Sequence, residues 1–195
     1  MDVSNPISSV TPSLDGPVLG ALAATNVPLS LSSVHELAGQ GSLSGVRRVL
    51  LRLVSTGIVV TVPGGYLLNR DHAAAPLIES LTQLWGEIFE RIRGLVAAWP
   101  NAPRMIGVYG SAARRDGDEG SDIDLLMVSD AADAADQVVD LAAHVERWTG
   151  NATHVVMVGS KDLRRMRRAR EAILAEWQRD LVVIVGSRDA LKIAS

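Results

Sequence analysis

Apolar residues recur at helical and strand periods along most of the 195-residue chain, and the changes of period divide it. Residues 1–14, MDVSNPISSVTPSL, show no sustained period and are rich in Ser, Pro, Thr and Asn, which reads as a flexible tail. Val18–Ala24 reads as a short helix and Leu31–Ala38 as a second, with Ser30 as its N-cap. After the tight Gly39-Gln40-Gly41 turn, a third helix opens at Ser42 and runs to about Ser55. Its apolar set Val46, Val49, Leu50, Leu53 and Val54 follows helical spacing, and Gly57 stops it. Two β-like runs, Ile58–Val62 and Tyr66–Leu68, flank Pro63-Gly64-Gly65, a strong hairpin signal.

The period then changes, and the spacing places a boundary near Ala75. Leu77, Leu81, Leu84, Ile88, Ile92 and Leu95 form one stripe, predicting a single long helix from Ala75 to Trp99, opened by Pro76 and ended by Pro100. Strands are expected at Arg104–Tyr109, Asp122–Val128, Ala152–Val158 and Leu181–Gly186. Helices are expected at Ala131–Trp148 and Lys161–Glu176, with a glycine turn after the first strand. Alternating strands and helices on short links make residues 76–187 an α/β or α+β unit, and residues 188–195 a second tail. Residues 15–75 form the other domain.

Composition narrows the class. The chain is 47% hydrophobic and 21% charged, an ordinary globular balance that excludes a disordered tail protein or a coiled-coil rod. The absence of cysteine removes disulfides, thiol catalysis and cysteine-based zinc sites. No apolar run approaches the roughly 18 residues needed to span a bilayer, so no membrane is expected. The opening residues lack a basic segment followed by an apolar one, and a cytoplasmic location is the expectation. Net charge is −3, with 19 basic and 22 acidic residues, so any nucleic-acid contact must come from a local patch.

The chemistry concentrates after the strand ending at Tyr109. There Gly110-Ser111 is followed by ten residues and then Asp122-Ile123-Asp124. A glycine-serine turn brings backbone N–H groups and a hydroxyl close to a phosphate. Aspartates two apart on a strand point the same way, since side chains alternate with period 2. Paired carboxylates repel unless a hard cation sits between them, and Mg²⁺ is usually held by one or two carboxylates plus substrate phosphates. These residues predict a strand-borne metal–phosphate site suited to displacement at phosphorus.

Gly110-Ser111-x10-Asp122-x-Asp124 resembles the signature of the minimal nucleotidyltransferase family, within the DNA polymerase β-type superfamily. Arg114 and Ser121 match residues common inside that motif. The resemblance covers about residues 76–187. It implies a mixed sheet flanked by helices, Mg²⁺, and transfer of a nucleoside monophosphate from an NTP to a hydroxyl acceptor. By that similarity Gly110, Ser111, Arg114 and Ser121 hold the NTP, and Asp122 and Asp124 ligate metal and serve catalysis. The family's third carboxylate, from the next strand, has no match. No acid lies between Glu146 and Asp162, and His154 or Met157 occupies the corresponding position.

The helix–helix–turn–helix–hairpin order of residues 15–70 resembles a winged helix-turn-helix domain of bacterial regulators. Its third helix carries Arg47, Arg48 and Arg52 with no acid between Ser42 and Ser55. Ser42, Ser44, Arg47 and Arg48 are the expected groove contacts, with the Gly64-Gly65 wing on the backbone. DNA is the expected partner, and a homodimer is expected from the habit of such proteins. The alternative is a regulator whose degenerate transferase domain only binds nucleotide or a partner. Lys161–Arg170 carries Lys161, Arg164, Arg165, Arg167, Arg168 and Arg170 against Asp162. It reads either as a solvated face or as a grip for phosphates or an acidic partner.

Overall fold

The computed structural model describes residues 1–192, and its contacts divide them into two compact units. One unit comprises Asp2 and residues 4–85. The other comprises Met1, Val3 and the chain from Gly86 onward. The division falls at Trp85/Gly86, beyond the boundary expected near Ala75.

In the N-terminal unit, α1 spans Asp15–Ala23, α2 Leu31–Ala38 and α3 Leu43–Ser55. The Ser30 hydroxyl accepts from Ser33 N–H at 3.1 Å, and the Ser42 hydroxyl from Gly45 N–H at 3.1 Å, so both later helices start on serine caps. Val46, Leu50 and Leu53 line one side of α3 and are buried against Val18, Leu22 and Val34. β1 (Val59–Val62) and β2 (Gly65–Leu68) pair antiparallel, and Leu29 adds a bridge to Tyr66. That bridge fixes the hairpin turn: Gly65 sits at φ +140°, and a Cβ there would strike the Leu29 carbonyl.

The stretch expected as a flexible tail, residues 1–14, contains a 3₁₀ turn at Pro6–Ser9, and Ile7 joins the core. Val3 is buried too, and apolar anchors this scattered show no period, so spacing could not reveal them. The long helix expected over 75–99 is two helices, α4 (Ala75–Thr82) and α5 (Leu84–Ala97). The Thr82 hydroxyl donates to the Glu79 carbonyl at 2.7 Å and Gln83 N–H closes on Ser80, which tightens the last turn and ends α4.

The C-terminal unit is a mixed α/β fold. Its strands are β3 (Met105–Tyr109), β4 (Ile123–Val128), β5 (Thr153–Val158) and β6 (Val182–Gly186), in the order β5-β4-β3-β6. β3 is antiparallel to both neighbours, while β4 and β5 are parallel and joined through α7 (Ala134–Thr149). The expected glycine turn after β3 is the start of a short helix, α6 (Gly110–Arg114). The helix expected over 161–176 is likewise two, α8 (Ser160–Ala169) and α9 (Ile173–Asp180), broken where Arg170 adopts φ +53°.

Alternation along the strands assigns the faces. Leu126 and Val128 of β4, Val156 and Val158 of β5, and Met105 and Tyr109 of β3 share a cluster with Leu163, Met166 and Trp177 from α8 and α9. By the same parity Asp122, Asp124 and His154 lie on that face, near its end. Part of the C-terminal stretch expected as a tail, residues 188–195, is a 3₁₀ turn at Arg188–Leu191 whose Ala190 and Leu191 join this cluster. Residues 193–195 lie outside the described residues.

Candidate functional site

The site forms where β3 ends beside the start of β4. Tyr109 is the register partner of Asp124, and the chain turns at Gly110 with φ +68°. A Cβ on Gly110 would lie 2.8 Å from Asp124 Oδ2, so glycine is what lets the turn pass so close to the carboxylate. Ser111 follows in the first turn of α6.

Asp124 and His154 are register partners on the parallel strands β4 and β5. His154 Nδ1 stands 3.7 Å from Asp122 Oδ2 and 3.8 Å from Asp124 Oδ1, close enough to ion-pair with either when protonated. The β5 residue beside the two aspartates is thus the histidine, and Met157 lies further along the strand, opposite Met127. Burial raises the Asp124 carboxyl above the ordinary aspartate range, and Asp122 and Glu176 push the same way against the opposing effect of His154. Burial also raises the Tyr109 hydroxyl, with Asp124 and Glu176 adding to it. Four ionisable side chains, Asp122, Asp124, His154 and Glu176, therefore share one field.

Glu176 did not emerge from the sequence. It sits on α9, more than fifty residues beyond the aspartates, and no spacing rule marks it. Trp177, next to it, meets Tyr109 edge-on with ring centroids 6.0 Å apart, which seats α9 over the end of β3. Asn151 is a second unexpected participant. Its buried side-chain amide donates to the carbonyls of Ser121 at 2.9 Å and Glu119 at 3.3 Å, bracing the loop that delivers Asp122.

Arg114 and Ser121 make local contacts. Arg114 donates through Nε to Asp116 at 2.8 Å and through Nη1 to Asp180 at 3.1 Å, tying α6 to α9. The Ser121 hydroxyl accepts from Asp118 N–H at 2.8 Å and donates to the Asp118 carboxylate at 3.0 Å, closing the loop before Asp122. Among the described residues, no group of three or more His, Asp or Glu side chains is arranged to hold a metal ion by itself. Two carboxylates leave coordination places for ligand oxygens, the mode usual for Mg²⁺ at phosphates.

Residues 96–177 match the family model described as Polymerase beta, Nucleotidyltransferase. The matched span runs from the end of α5 into α9 and includes Gly110, Ser111, Asp122, Asp124, His154 and Glu176. No curated protein and no solved structure matches the chain. The matched span is similar to a nucleotidyltransferase domain, and the mixed sheet of the C-terminal unit is consistent with that fold, as the sequence led one to expect. No helix among the described residues is long and apolar enough to cross a membrane.

In the N-terminal unit, Arg47 and Arg48 are exposed on α3. Arg52 is ion-paired with Asp15, so the local charge of that helix is smaller than its three arginines suggest. The Ser42 hydroxyl is engaged as the α3 cap and lies 3.1 Å from the Ser44 hydroxyl. Gly64 is exposed at the hairpin tip, and Gly65 is half-buried under Leu29.

Proposed function

We propose that the nucleotidyltransferase-like domain transfers a nucleoside monophosphate from an NTP to a hydroxyl acceptor with Mg²⁺, and that the N-terminal unit is a winged helix that binds DNA. The observation that carries the first part is the placement of Asp122 and Asp124 on either side of Ile123 at the start of β4, beside the Gly110 turn. The residues present fit a Mg²⁺ ion. They flank Ile123 at the start of β4, 3.7 and 3.8 Å from His154 Nδ1. The Asp124 carboxyl is raised by burial first and then by the Asp122 and Glu176 charges, which a cation would relieve. Asp122 and Asp124 would hold the ion, which when bound supplies charge neutralisation at the phosphate oxygens.

The chain's own groups account for the rest of the reaction. The Gly110-Ser111 turn presents backbone N–H groups and a hydroxyl to the NTP phosphates. The acceptor oxygen forms a bond to the α-phosphorus, the bond from that phosphorus to the bridging oxygen breaks, and pyrophosphate leaves. The acceptor's proton passes to a base, and His154 is the imidazole beside both carboxylates. Glu176 adds negative charge from α9, and Asn151 holds the loop leading to Asp122.

The winged-helix reading is supported by the order α1-α2-α3-β1-β2, the exposed Arg47 and Arg48 on α3, and a glycine-tipped hairpin. A second reading makes the protein a DNA-binding regulator whose transferase domain binds nucleotide without turning it over. The histidine on β5, where a carboxylate is expected, favours it. Calorimetric titration with Mg²⁺ and each NTP, wild type beside the Asp122→Ala, Asp124→Ala double variant, tests both. Metal-dependent binding lost in the variant supports the site, and pyrophosphate release then separates enzyme from sensor. No binding by the wild type removes both readings.

A further inference from the structure

The helix α8 covers the same sheet face that carries Asp122 and Asp124, anchored by buried Leu163 and Met166. Its outward side is cationic. Lys161, Arg164, Arg165 and Arg168 recur at i, i+3, i+4 and i+7, so they lie along one stripe. Together with Ala169 they line a concavity of about 570 Å³. Arg165 is ion-paired to Asp162 at 3.2 Å, whereas Lys161, Arg164 and Arg168 make no ion pair among the described residues. In a chain of net charge −3, such a stripe is a concentrated local field.

We propose that this face of α8 binds the phosphodiester backbone of a single nucleic-acid strand, separately from the α3 surface and whether or not the domain turns over NTP. The lining is drawn from one helix alone, so the concavity is open along its length, which suits a polymer lying across it better than an enclosed small molecule. Three of its four cations are arginines, whose planar forks match phosphate oxygens bidentately. Apart from Ala169 it offers no apolar or aromatic anchor, which a protein partner would need at the centre of an interface. From Lys161 to Arg168 the helix advances about 10 Å, enough to meet more than one phosphate of an extended strand. No aromatic side chain lines the concavity for base stacking and its cations face phosphates common to both, so RNA and DNA strands of equal length are expected to bind alike.

The test is fluorescence anisotropy of the full chain with labelled single-stranded RNA and DNA of mixed sequence, at a series of salt concentrations. Arg164→Ala with Arg165→Ala and Arg168→Ala is expected to weaken binding at least about tenfold and to lower the salt slope by about 0.7 per lost contact. The Arg47→Ala, Arg48→Ala variant is expected to leave strand binding intact. The triple lysine replacement at 164, 165 and 168 preserves charge and is expected to retain most of the salt dependence, which guards against a folding defect in the alanine variant. Unchanged affinity in a folded alanine variant overturns the proposal. So does loss of strand binding in the α3 variant alone, or equal competition by poly-glutamate, which would make the surface a generic acidic-partner site.

Discussion

Asp124 is where residue-level chemistry is most exposed to test. Its carboxyl is raised above the ordinary range by burial first, with Asp122 and Glu176 adding and His154 opposing. Metal ligation needs the ionised form. As pH falls, Asp124 takes up its proton earlier than an ordinary aspartate, so Mg²⁺ affinity is expected to decline through that raised value. In the metal-free protein the sign is opposite. A raised folded-state value means the charged form is disfavoured by folding, and protonation relieves that cost as pH falls through it. Calorimetric Mg²⁺ titrations at stepped pH check the first effect. Glu176→Gln removes one of the raising charges without touching a proposed ligand, and is expected to move the onset to lower pH. Affinity that stays flat down to the ordinary aspartate range would contradict the assignment. Gly110 makes a sharper steric prediction. Gly110→Ala must hold φ +68° and place its methyl 2.8 Å from Asp124 Oδ2. A loss of about 1–2 kcal/mol in stability is expected from the backbone alone. Because the clash displaces the carboxylate itself, metal-dependent nucleotide binding is expected to weaken as well, read by thermal melts beside calorimetry.

At the scale of elements, α3 joins two roles in one residue. The Ser42 hydroxyl caps the helix through Gly45 N–H and also stands among the proposed groove contacts. Ser42→Ala is expected to lower stability by about 1 kcal/mol through the lost cap. Ser42→Asp keeps a capping oxygen and places negative charge at the helix start, where the dipole favours it. Stability is then expected to hold while DNA affinity falls through repulsion from phosphate. Two variants that lose DNA binding only in proportion to their stability would mean that Ser42 is a cap and nothing more. The elements also show how far period alone reaches. The stripe that formed α3 was visible as spacing, because the helix buries one face. The breaks within 75–99 and 161–176 were not, and across the first of them the apolar stripe continues from Leu81 to Leu84. One was made by the Thr82 hydroxyl turning back on its own helix and the other by Arg170 in a left-handed conformation.

On the scale of the whole molecule, each unit carries its own core and its own proposed ligand surface. Separate surfaces imply separable losses. Arg47→Ala with Arg48→Ala is expected to weaken salt-dependent duplex DNA binding and to leave Mg²⁺-dependent NTP binding at the wild-type value. The Asp122, Asp124 double variant is expected to do the reverse. Parallel titrations of both variants with duplex DNA and with NTP check this, and loss of both activities in either variant would contradict the division of roles.

The sequence by itself determined the four strands of the C-terminal sheet, the hairpin, the start of α3 and the two-residue spacing of Asp122 and Asp124. Hydrophobic period reports which face of an element is buried, and a two-residue spacing on a strand needs no knowledge of the rest of the fold. Only the tertiary structure decided which residues stand around the proposed site. Strand register set His154 beside Asp124, the packing of Trp177 on Tyr109 brought Glu176 into the same field, and Asn151 reached across to the loop before Asp122. Those groups come from β5, α9 and the turn after α7, and distance along the chain carries no information about their meeting. The physical reason is that burial and register act between elements, whereas the spacing of residues acts within one.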